Sequence, residues 1–323
     1  MGEKNLTMKD IAKLAGVSQP TVSRVINKSS KVSKDIEERV KDIIAKYNFK
    51  ANESAKILRG NKSKTIGLIV YNFSNYYYLE MVKYVEKEIR KKGYTLIVMN
   101  SENSKEIELD HIKKLLSKNV EGILIAPICI KNLKFLKNKE LPFLVINRII
   151  EGYSYVSTSL YKGGRIATEY MVKNGYKDIC FIGSVNDNPK FLGYLDVLKE
   201  NHLKISNDLI LDLKLKKKNI QLIEEFLKNK NLKEIAYVTA DDEIAYIFSN
   251  ILLKKNLLIG KDISIIGFDN TIIAKVLNIS SVEQPMEKMI KVAVDNLFNR
   301  KNKIEIELDP IIKERMSVKK IDR

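Results

Sequence analysis

Apolar residues recur every three or four positions in three short blocks within the first fifty residues, a spacing that predicts three helices. The expected inward residues are Ile11, Ala12, Leu14 and Ala15 in the first block, Val22, Val25 and Ile26 in the second, and Ile36, Val40, Ile43, Ile44 and Tyr47 in the third. Ser33 is expected to cap the third helix. The three blocks predict a small all-α domain with its own core.

Polar residues and a glycine mark where the first two helices begin and end. Thr7 is placed to cap the first helix, and Asp10 follows at the spacing of a capping box. Gly16 occupies the position after this helix where a left-handed backbone is favoured. Ser18 then caps the second helix at once, and Pro20 lies in its first turn. This order predicts two short helices joined by a tight turn.

The second helix leaves a polar outer face made of Gln19, Pro20, Thr21, Ser23, Arg24 and Asn27. A short helix with such a face suits the major groove of DNA. The alternative is an ordinary amphipathic hairpin whose outer side chains are only solvated. Charge favours DNA, because residues 1–62 carry 14 Lys and Arg against 7 Asp and Glu in a chain of net charge +17.

From residue 65 the pattern changes to short runs that are apolar throughout, separated by amphipathic stretches. The runs are TIGLIV, YTLIVM, GILIAP, PFLVIN, DICFIG, EIAYVT and ISIIGF. They predict strands buried on both faces, so the fold class is α/β, with one or two doubly wound parallel sheets. The intervening stretches predict helices over residues 79–92, 107–118, 164–174, 220–230 and 243–255. Ligands of such sheets bind at the carboxyl ends of the strands.

Missing motifs disfavour several classes of protein. No run is followed by GxGxxG or GxxxxGK[ST], and neither HExxH nor GxSxG occurs. With only His111 and His202, both in polar helix-like sequence, we expect no enzyme, no cofactor and no metal site. Cys129 and Cys180 are expected to be free thiols. Without an apolar leader or a run of about 18 apolar residues, a cytoplasmic protein is expected.

The stretch AGVSQPTVSRVIN, with the helices around it, resembles the N-terminal domain of the lactose-repressor/galactose-repressor (LacI-type) family of bacterial transcriptional regulators. That family carries AGVSxxTVSRVxN as its DNA-binding signature. The resemblance implies that DNA is contacted by Thr7, Met8, Ser18, Gln19, Pro20, Thr21, Ser23, Arg24 and Asn27.

Residues 52–60 resemble the hinge helix of the same family. Two dimer-related copies of that helix pair over the operator centre and insert a leucine into the minor groove, which bends the duplex. Asn52, Ala55 and Leu58 match the family pattern NxxAxxL. Lys56 stands where the family has Arg and Ala51 where it has Pro, which predicts a weaker phosphate contact and a less rigid hinge.

The rest of the chain resembles the ligand-binding core of this family, which is similar to type I periplasmic sugar-binding proteins. The implied fold is an N-terminal all-α helix-turn-helix domain, residues 1–62, followed by an α/β core of two doubly wound parallel-sheet lobes, residues 63–323. Three crossovers join the lobes. The first lobe is expected at about residues 63–157 and 285–306, and the second at about residues 158–284 and 307–318.

Six motifs carry this resemblance: NYYY from residue 75, NR from 147, GG from 163, KxxGY from 190, DDxxA from 241 and GFDN from 267. They imply an effector site formed by Tyr77, Tyr78, Asn147, Arg148, Lys190, Asp241 and Asp269. Asn147 replaces an aspartate of the family, Lys190 an arginine and Asp241 an asparagine.

Each of these residues also has a purely structural role open to it. Tyr77 and Tyr78 would cover the first helix of the core, Arg148 would pair with a surface acid, Lys190 would be solvated, and Asp241 and Asp269 would cap the helices that follow them. As carboxylates opposite cations, the two aspartates would instead bind hydroxyls or amines.

The sequence therefore predicts a homodimeric, sequence-specific DNA-binding transcriptional regulator, a repressor, on a near-palindromic operator. A small sugar-like or nucleobase-like effector is expected in the cleft between the lobes. One alternative is a regulator of the same fold that a protein partner controls. The other, a solute-binding transport component, would need a secretion signal and has no use for residues 1–60. No membrane partner is expected.

Overall fold

The computed structural model describes residues 6–26, 32–49, 62–186, 188–213, 220–228, 232–299 and 302–321. The chain forms two compact units, Met1–Ser63 and Lys64–Arg323. The first unit is all-α, and the second contains two six-stranded sheets. Among the described residues, no helix is long and apolar enough to cross a membrane.

The described residues of the first unit form three helices: α1 (Met8–Ala15), α2 (Gln19–Ile26) and α3 (Lys34–Lys46). Their buried apolar side chains are Ile11, Ala12, Ala15, Val22, Val25 and Val40. The predictions for Leu14 and Tyr47 were wrong, because their side chains are 47% and 44% exposed; Tyr47 lies at the C-cap of α3. The buried arc of α1 is centred between Ile11 and Ala12, and at 3.6 residues per turn Leu14 lies about 110° away from that centre.

The predicted turn and caps of the first two helices are present. Thr7 and Asp10 form a capping box on α1, and Gly16 ends this helix with φ 65°. The Ser18 Oγ accepts a hydrogen bond from the Thr21 backbone N–H at 3.4 Å at the start of α2. Ser33 precedes α3 with an extended backbone, but its side chain makes no capping hydrogen bond. The Ser33 backbone carbonyl accepts a hydrogen bond from Glu37 N at 3.0 Å.

The second unit is a two-lobed α/β structure. The strands are β1 (Thr65–Val70), β2 (Thr95–Asn100), β3 (Gly122–Ile125), β4 (Phe143–Ile146), β5 (Tyr155–Thr158), β6 (Asp178–Gly183), β7 (Ile210–Asp212), β8 (Ile235–Thr239), β9 (Ser264–Phe268), β10 (Ser280–Glu283), β11 (Glu305–Leu308) and β12 (Ile311–Lys313). The helices are α4 (Tyr76–Lys91), α5 (Lys105–Ser117), α6 (Ile130–Lys137), α7 (Leu160–Lys173), α8 (Pro189–Glu200), α9 (Ile220–Phe226), α10 (Asp242–Lys254), α11 (Ile272–Val276) and α12 (Met286–Asn296).

The strands form two separate sheets, so the prediction of two doubly wound lobes is confirmed. The first sheet has the order β11-β5-β4-β3-β1-β2 and is parallel throughout. The second has the order β12-β10-β9-β8-β6-β7, and only its edge strand β12 is antiparallel. We call the first sheet with its helices the first lobe, and the second sheet with its helices the second lobe.

The chain changes lobe three times: after β5, after β10 and after β11. Helix α12 follows β10 of the second sheet but packs its Met286, Met289 and Ile290 into the core of the first lobe. Strand β11 then pairs with β5 as far as Leu308, slightly beyond the lobe limit near residue 306 that the sequence suggested. The first and third crossovers leave neighbouring strands, since Thr158 of β5 pairs with Leu308 of β11.

Most helices begin earlier than the apolar pattern alone predicted. Helix α4 starts at Tyr76 rather than near residue 79, because Asn75 Oδ1 accepts the Tyr77 backbone N–H at 2.8 Å. In the same way, Ser159 caps α7, which starts at Leu160, four residues before the predicted start at 164. First turns capped by polar side chains carry little apolar periodicity, so the pattern misses them.

Candidate functional site

The outer face of α2 lies in the first unit. Pro20 and Arg24 are exposed, while Gln19, Thr21 and Ser23 are half-buried on the same helix. Of the residues predicted to contact DNA elsewhere in this unit, Thr7 and Ser18 are exposed. Met8 is half-buried and packs against the small apolar core.

Several of these polar side chains hold the helix ends. The Thr7 hydroxyl donates to Asp10 at 2.6 Å, and the hydroxyls of Ser18 and Thr21 lie 2.8 Å apart. These bonds fix the start of both helices and leave the exposed Arg24 as the long cationic side chain of α2. The remaining DNA-binding predictions lie outside the described residues: Asn27, Asn52, Ala55, Lys56 and Leu58, with the hinge helix 52–60.

In the second unit, the predicted effector residues gather at the carboxyl ends of strands from both lobes. Asn147 and Arg148 follow β4, Asp241 comes soon after β8, and Asp269 follows β9 directly. Tyr77 and Tyr78 lie in the first turn of α4, and Lys190 in the first turn of α8. A parallel sheet presents its ligand loops at this edge.

The first lobe contributes a group of buried, mutually bonded side chains. The Tyr77 hydroxyl lies 2.8 Å from Asn147 Oδ1, and the Asn147 amide donates to the Tyr78 hydroxyl at 3.2 Å. Both tyrosines are nearly fully buried in the core of this lobe. They therefore have the structural role that was open to them, packing the start of α4 against the core. Burial raises the pKa of both phenols well above the ordinary value, so they are neutral hydrogen-bonding groups.

Arg148 lies at the edge of this group and is exposed. Its guanidinium carbon is 5.7 Å from the centre of the Tyr71 ring. The Tyr71 ring in turn makes an edge contact with Tyr78, with ring centres 4.5 Å apart. The cation thus stacks on an aromatic face next to the buried tyrosines.

The second lobe contributes an ammonium group surrounded by three different partners. Lys190 Nζ donates to the Ala240 carbonyl at 2.7 Å, lies 3.5 Å from the centre of the Phe268 ring, and is 4.0 Å from Asp269 Oδ1. Its side chain is only 14% exposed. The alternative of a solvated Lys190 was therefore wrong.

The two aspartates of the site have different roles. Asp241 is the N-cap of α10, where its Oδ1 accepts the Ile244 backbone N–H at 2.8 Å. Asp269 caps no helix, and its Oδ1 accepts a hydrogen bond from Gln284 Nε2 at 2.7 Å. Its backbone has φ 96°, a conformation unusual for a residue with a side chain.

Burial controls the charge of these carboxyls. Burial raises the pKa of Asp269 to about 6, although the nearby Lys190 ammonium lowers it and the Asp241 carboxylate raises it further. Burial likewise raises the pKa of Asp241. The site therefore holds at least one carboxyl that changes its charge near neutral pH.

Sequence reasoning missed four side chains of this region: Tyr71, Asp242, Phe268 and Gln284. Asp242 is 1% exposed and accepts hydrogen bonds from Thr271 N at 2.7 Å, Thr271 Oγ1 at 2.9 Å and Ser281 Oγ at 2.7 Å. It anchors the loop that carries Asp269. The DDxxA motif included Asp242 but gave no sign that it points into the protein, and Gln284 follows β10, a strand that the apolar pattern did not predict.

Comparison with known proteins identifies both units. The family model described as bacterial regulatory proteins, lacI family, matches residues 7–52, and a periplasmic binding protein domain matches residues 66–279. The HTH-type transcriptional regulator RegA of Clostridium saccharobutylicum is 32% identical over 93% of this chain and 94% of that protein. The HTH-type transcriptional repressor PurR of Histophilus somni (strain 129Pt) is 30% identical over 97% of this chain and 99% of that protein.

Solved structures agree on the fold. The lac repressor dimer bound to operator and the anti-inducer ONPF covers 97% of this chain and 99% of its own, with a TM-score of 0.85 at 22% identity. A LacI-family regulator from Silicibacter pomeroyi covers 97% and 99%, with a TM-score of 0.82 at 20% identity. The two units thus define a DNA-binding transcriptional regulator with an effector-binding domain. The chain belongs to the LacI family of bacterial regulatory proteins.

Proposed function

We propose that the protein is a cytoplasmic transcriptional repressor that binds a near-palindromic operator as a homodimer and responds to a small polar molecule between its lobes. The observation that carries this proposal is the convergence of Asn147, Arg148, Lys190 and Asp269 at the carboxyl ends of strands from two lobes that share crossovers. Relatives at 30% identity are described as repressors. We also retain the predicted domain limits, 1–62 and 63–323.

On the DNA side, α2 would enter the major groove, with Gln19, Pro20 and Arg24 facing the base edges. An exposed arginine there is suited to a bidentate contact with guanine. The other DNA contacts would come from Thr7, Met8, Ser18, Thr21, Ser23 and Asn27, and from Asn52, Ala55, Lys56 and Leu58 of the hinge. Leu58 would wedge into the minor groove at the operator centre.

Exposed apolar residues of both lobes support the homodimer. On α4, Tyr76 and Leu79 are each 45% exposed, and on α11, Ile272 is 46% and Val276 74% exposed. The two helices are neighbours, because Lys275 Nζ of α11 lies 3.9 Å from Glu80 Oε1 of α4. We call this surface the α4–α11 face. An apolar surface that spans both lobes suits an isologous contact with a second copy.

The chemistry of the cleft supports a polar ligand with hydroxyl or amine groups. Tyr71 and Phe268 provide aromatic faces, Arg148 and Lys190 are cations, and Asp269 is an acceptor. Solved structures of similar fold include a regulator complexed with cellobiose and another with bound ribose. A sugar-like effector therefore fits this site best, with a nucleobase-like one second. The transport alternative leaves the helix-turn-helix unit without a role.

Footprinting upstream of the protein's own gene would give an operator, and anisotropy titration on that duplex would test the proposal. We expect Arg24→Ala to lose the preference for operator over scrambled duplex, and its residual binding to fall steeply with salt, as phosphate contacts do. We expect some pentose, disaccharide or nucleobase to change the operator affinity of the parent, and Asp269→Ala to bind operator without responding. Lost hydrogen bonds to a buried carboxylate weaken such a ligand by about 1–3 kcal/mol.

Three results would contradict parts of this proposal. Retained operator preference in Arg24→Ala would remove α2 from its role. An equal response of parent and Asp269→Ala to the same compound would move the effector site elsewhere. A parent that ignores every small molecule but releases DNA on adding a protein fraction would favour the regulator controlled by a protein partner.

A further inference from the structure

Gln284 lies where the chain leaves the second sheet for the first lobe. It follows β10 and precedes α12, whose Met286, Met289 and Ile290 belong to the core of the first lobe. Its side chain is 5% exposed, so its amide must find partners inside the protein. Its position at a crossover puts both lobes within its reach.

The amide of Gln284 connects one residue of each lobe. Its Nε2 donates to Asp269 Oδ1 of the second lobe at 2.7 Å, and its Oε1 lies 3.0 Å from the Tyr77 hydroxyl of the first lobe. An ionised carboxylate only accepts, so Nε2 faces Asp269 and Oε1 faces Tyr77, whose single hydroxyl proton is shared between Gln284 Oε1 and Asn147 Oδ1. The Tyr77 hydroxyl also contacts Asn147 of the first lobe, and the Asp269 carboxyl also lies beside the Lys190 ammonium of the second lobe. A chain of polar contacts thus runs from one lobe to the other through one side chain.

We propose that Gln284 is a positioning residue: it holds Asp269 for the effector and, through Tyr77, makes the relative orientation of the lobes depend on what Asp269 binds. This inference rests on the proposed effector site. A ligand that draws Asp269 or Lys190 toward itself alters the hydrogen bond from Gln284 Nε2 to Asp269. The Gln284 amide then shifts, and its contact with Tyr77 changes with it. A ligand changes the balance of two states only by interacting differently with each of them, and this chain provides such a difference.

Each element packed around Asp269 contributes charged or titratable groups. These groups affect the charge of Asp269, so they determine the pH range in which the proposal is tested. They are Lys190 on α8, Asp241 before α10, Asp242 on α10 and Glu80 on α4, together with the neutral phenols of Tyr71, Tyr77 and Tyr78. Gln284→Glu keeps an acceptor toward Tyr77 but places a second carboxyl against Asp269. Two adjacent carboxyls keep a hydrogen bond while they share a proton, and they repel when both are ionised.

The test measures interlobe distance without any effector. The full chain, with Cys129→Ser and Cys180→Ala as background, carries spin labels at Lys105→Cys on the first lobe and Asn186→Cys on the second, both exposed. Double electron–electron resonance then gives the distance distribution at pH 5 and pH 8. Circular dichroism at both pH values confirms folding. The matched control is Gln221→Glu, the same substitution at an exposed position of α9.

We expect Gln284→Glu to match the parent at pH 5 and to show a shifted or broader distribution at pH 8, while Gln221→Glu matches the parent at both. Gln284→Leu removes both contacts and should broaden the distribution at both pH values. A Gln284→Glu protein that melts earlier at both pH values but keeps the parent distribution at both would overturn the proposal, because Gln284 would then only fill the crossover. A cleft that binds no small molecule would leave this result unchanged and fail only the effector titration.

Discussion

Asp242 illustrates how burial of one carboxyl links stability to pH. Burial raises its pKa from 3.8 to about 7, with the neighbouring Asp269 charge adding to the effect. The folded state therefore holds this proton more tightly than the unfolded chain does, so the Asp242 contribution to stability falls as pH rises from about 4 to about 7. Asp242→Asn removes the charge and keeps the shape, since Asn Nδ2 can donate to Ser281 Oγ as the protonated acid would.

We expect Asp242→Asn to be more stable than the parent, with a larger gain at pH 8 than at pH 5, reaching up to a few kcal/mol in the free energy of unfolding. Chemical unfolding in urea at both pH values measures the difference. Asp110→Asn is the control, and its effect on stability should have the opposite sign. Lys114 lowers the pKa of the exposed Asp110 carboxyl, so removing that charge should lower the free energy of unfolding. A difference between Asp242→Asn and the parent that is the same at pH 5 and pH 8 would argue that Asp242 is already ionised at pH 5.

The residue scale also marks how far local sequence reasoning reaches. A capping role for Asp241 is readable because its partner, the Ile244 N–H, is three residues away. The partners of Asp269 are Gln284 and Lys190, which lie on or just after other elements of the second lobe and meet Asp269 only once β10 and α8 are in place beside β9. From sequence alone, each aspartate could be either a helix cap or a ligand-binding carboxylate. Only the structure distinguishes the two residues.

At the scale of elements, the close packing of α7 on α8 depends on two glycines that the GG and KxxGY motifs contain. A Cβ on Gly164 would collide with the backbone carbonyl of Lys190, and one on Gly193 would collide with the carbonyl of Tyr161. These collisions are with backbone, so no side-chain rotation relieves them. The same contact places Lys190 in the first turn of α8, facing Asp269.

Gly164→Ala should force α7 and α8 apart, lower the free energy of unfolding by about 1–3 kcal/mol, and weaken the response to effector more than operator binding. Urea unfolding and the effector titration measure the two effects. Lys173→Ala, an exposed position on the same helix, serves as the control. Unchanged stability in Gly164→Ala would mean that the two helices can separate freely, and that Lys190 is positioned by its own hydrogen bonds alone.

The element scale was the most predictable from sequence. Fully apolar runs gave seven of the twelve described strands, because such runs have a local signature, whereas β5, β7, β10, β11 and β12 are short or carry polar residues and were not predicted. Two kinds of detail were not local. Leu14 was assigned to the core because apolar spacing does not fix the direction of a narrow buried arc. Helices α4 and α7 began earlier than expected because their capped first turns are polar or aromatic.

At the scale of the whole molecule, the near-palindromic operator that we propose requires a second copy of the chain. The α4–α11 face exposes Leu79 and Val276 on neighbouring helices of different lobes. A face that crosses both lobes would be rearranged whenever the lobes turn against each other. In a symmetric dimer this rearrangement would change the spacing of the two α2 helices, which must match half-sites about one helical turn apart.

Leu79→Asp or Val276→Asp should therefore give a monomer, because each isologous contact repeats the new charge on both sides of the interface. Sedimentation velocity at micromolar concentration would detect the change of mass, and operator affinity should fall to that of a single half-site. Leu192→Asp is the matched control, since Leu192 is 52% exposed on a different helix, α8. If Leu192→Asp dissociates the dimer and Val276→Asp does not, the dimer uses the α8 surface, and the lobes are coupled to DNA through that surface instead.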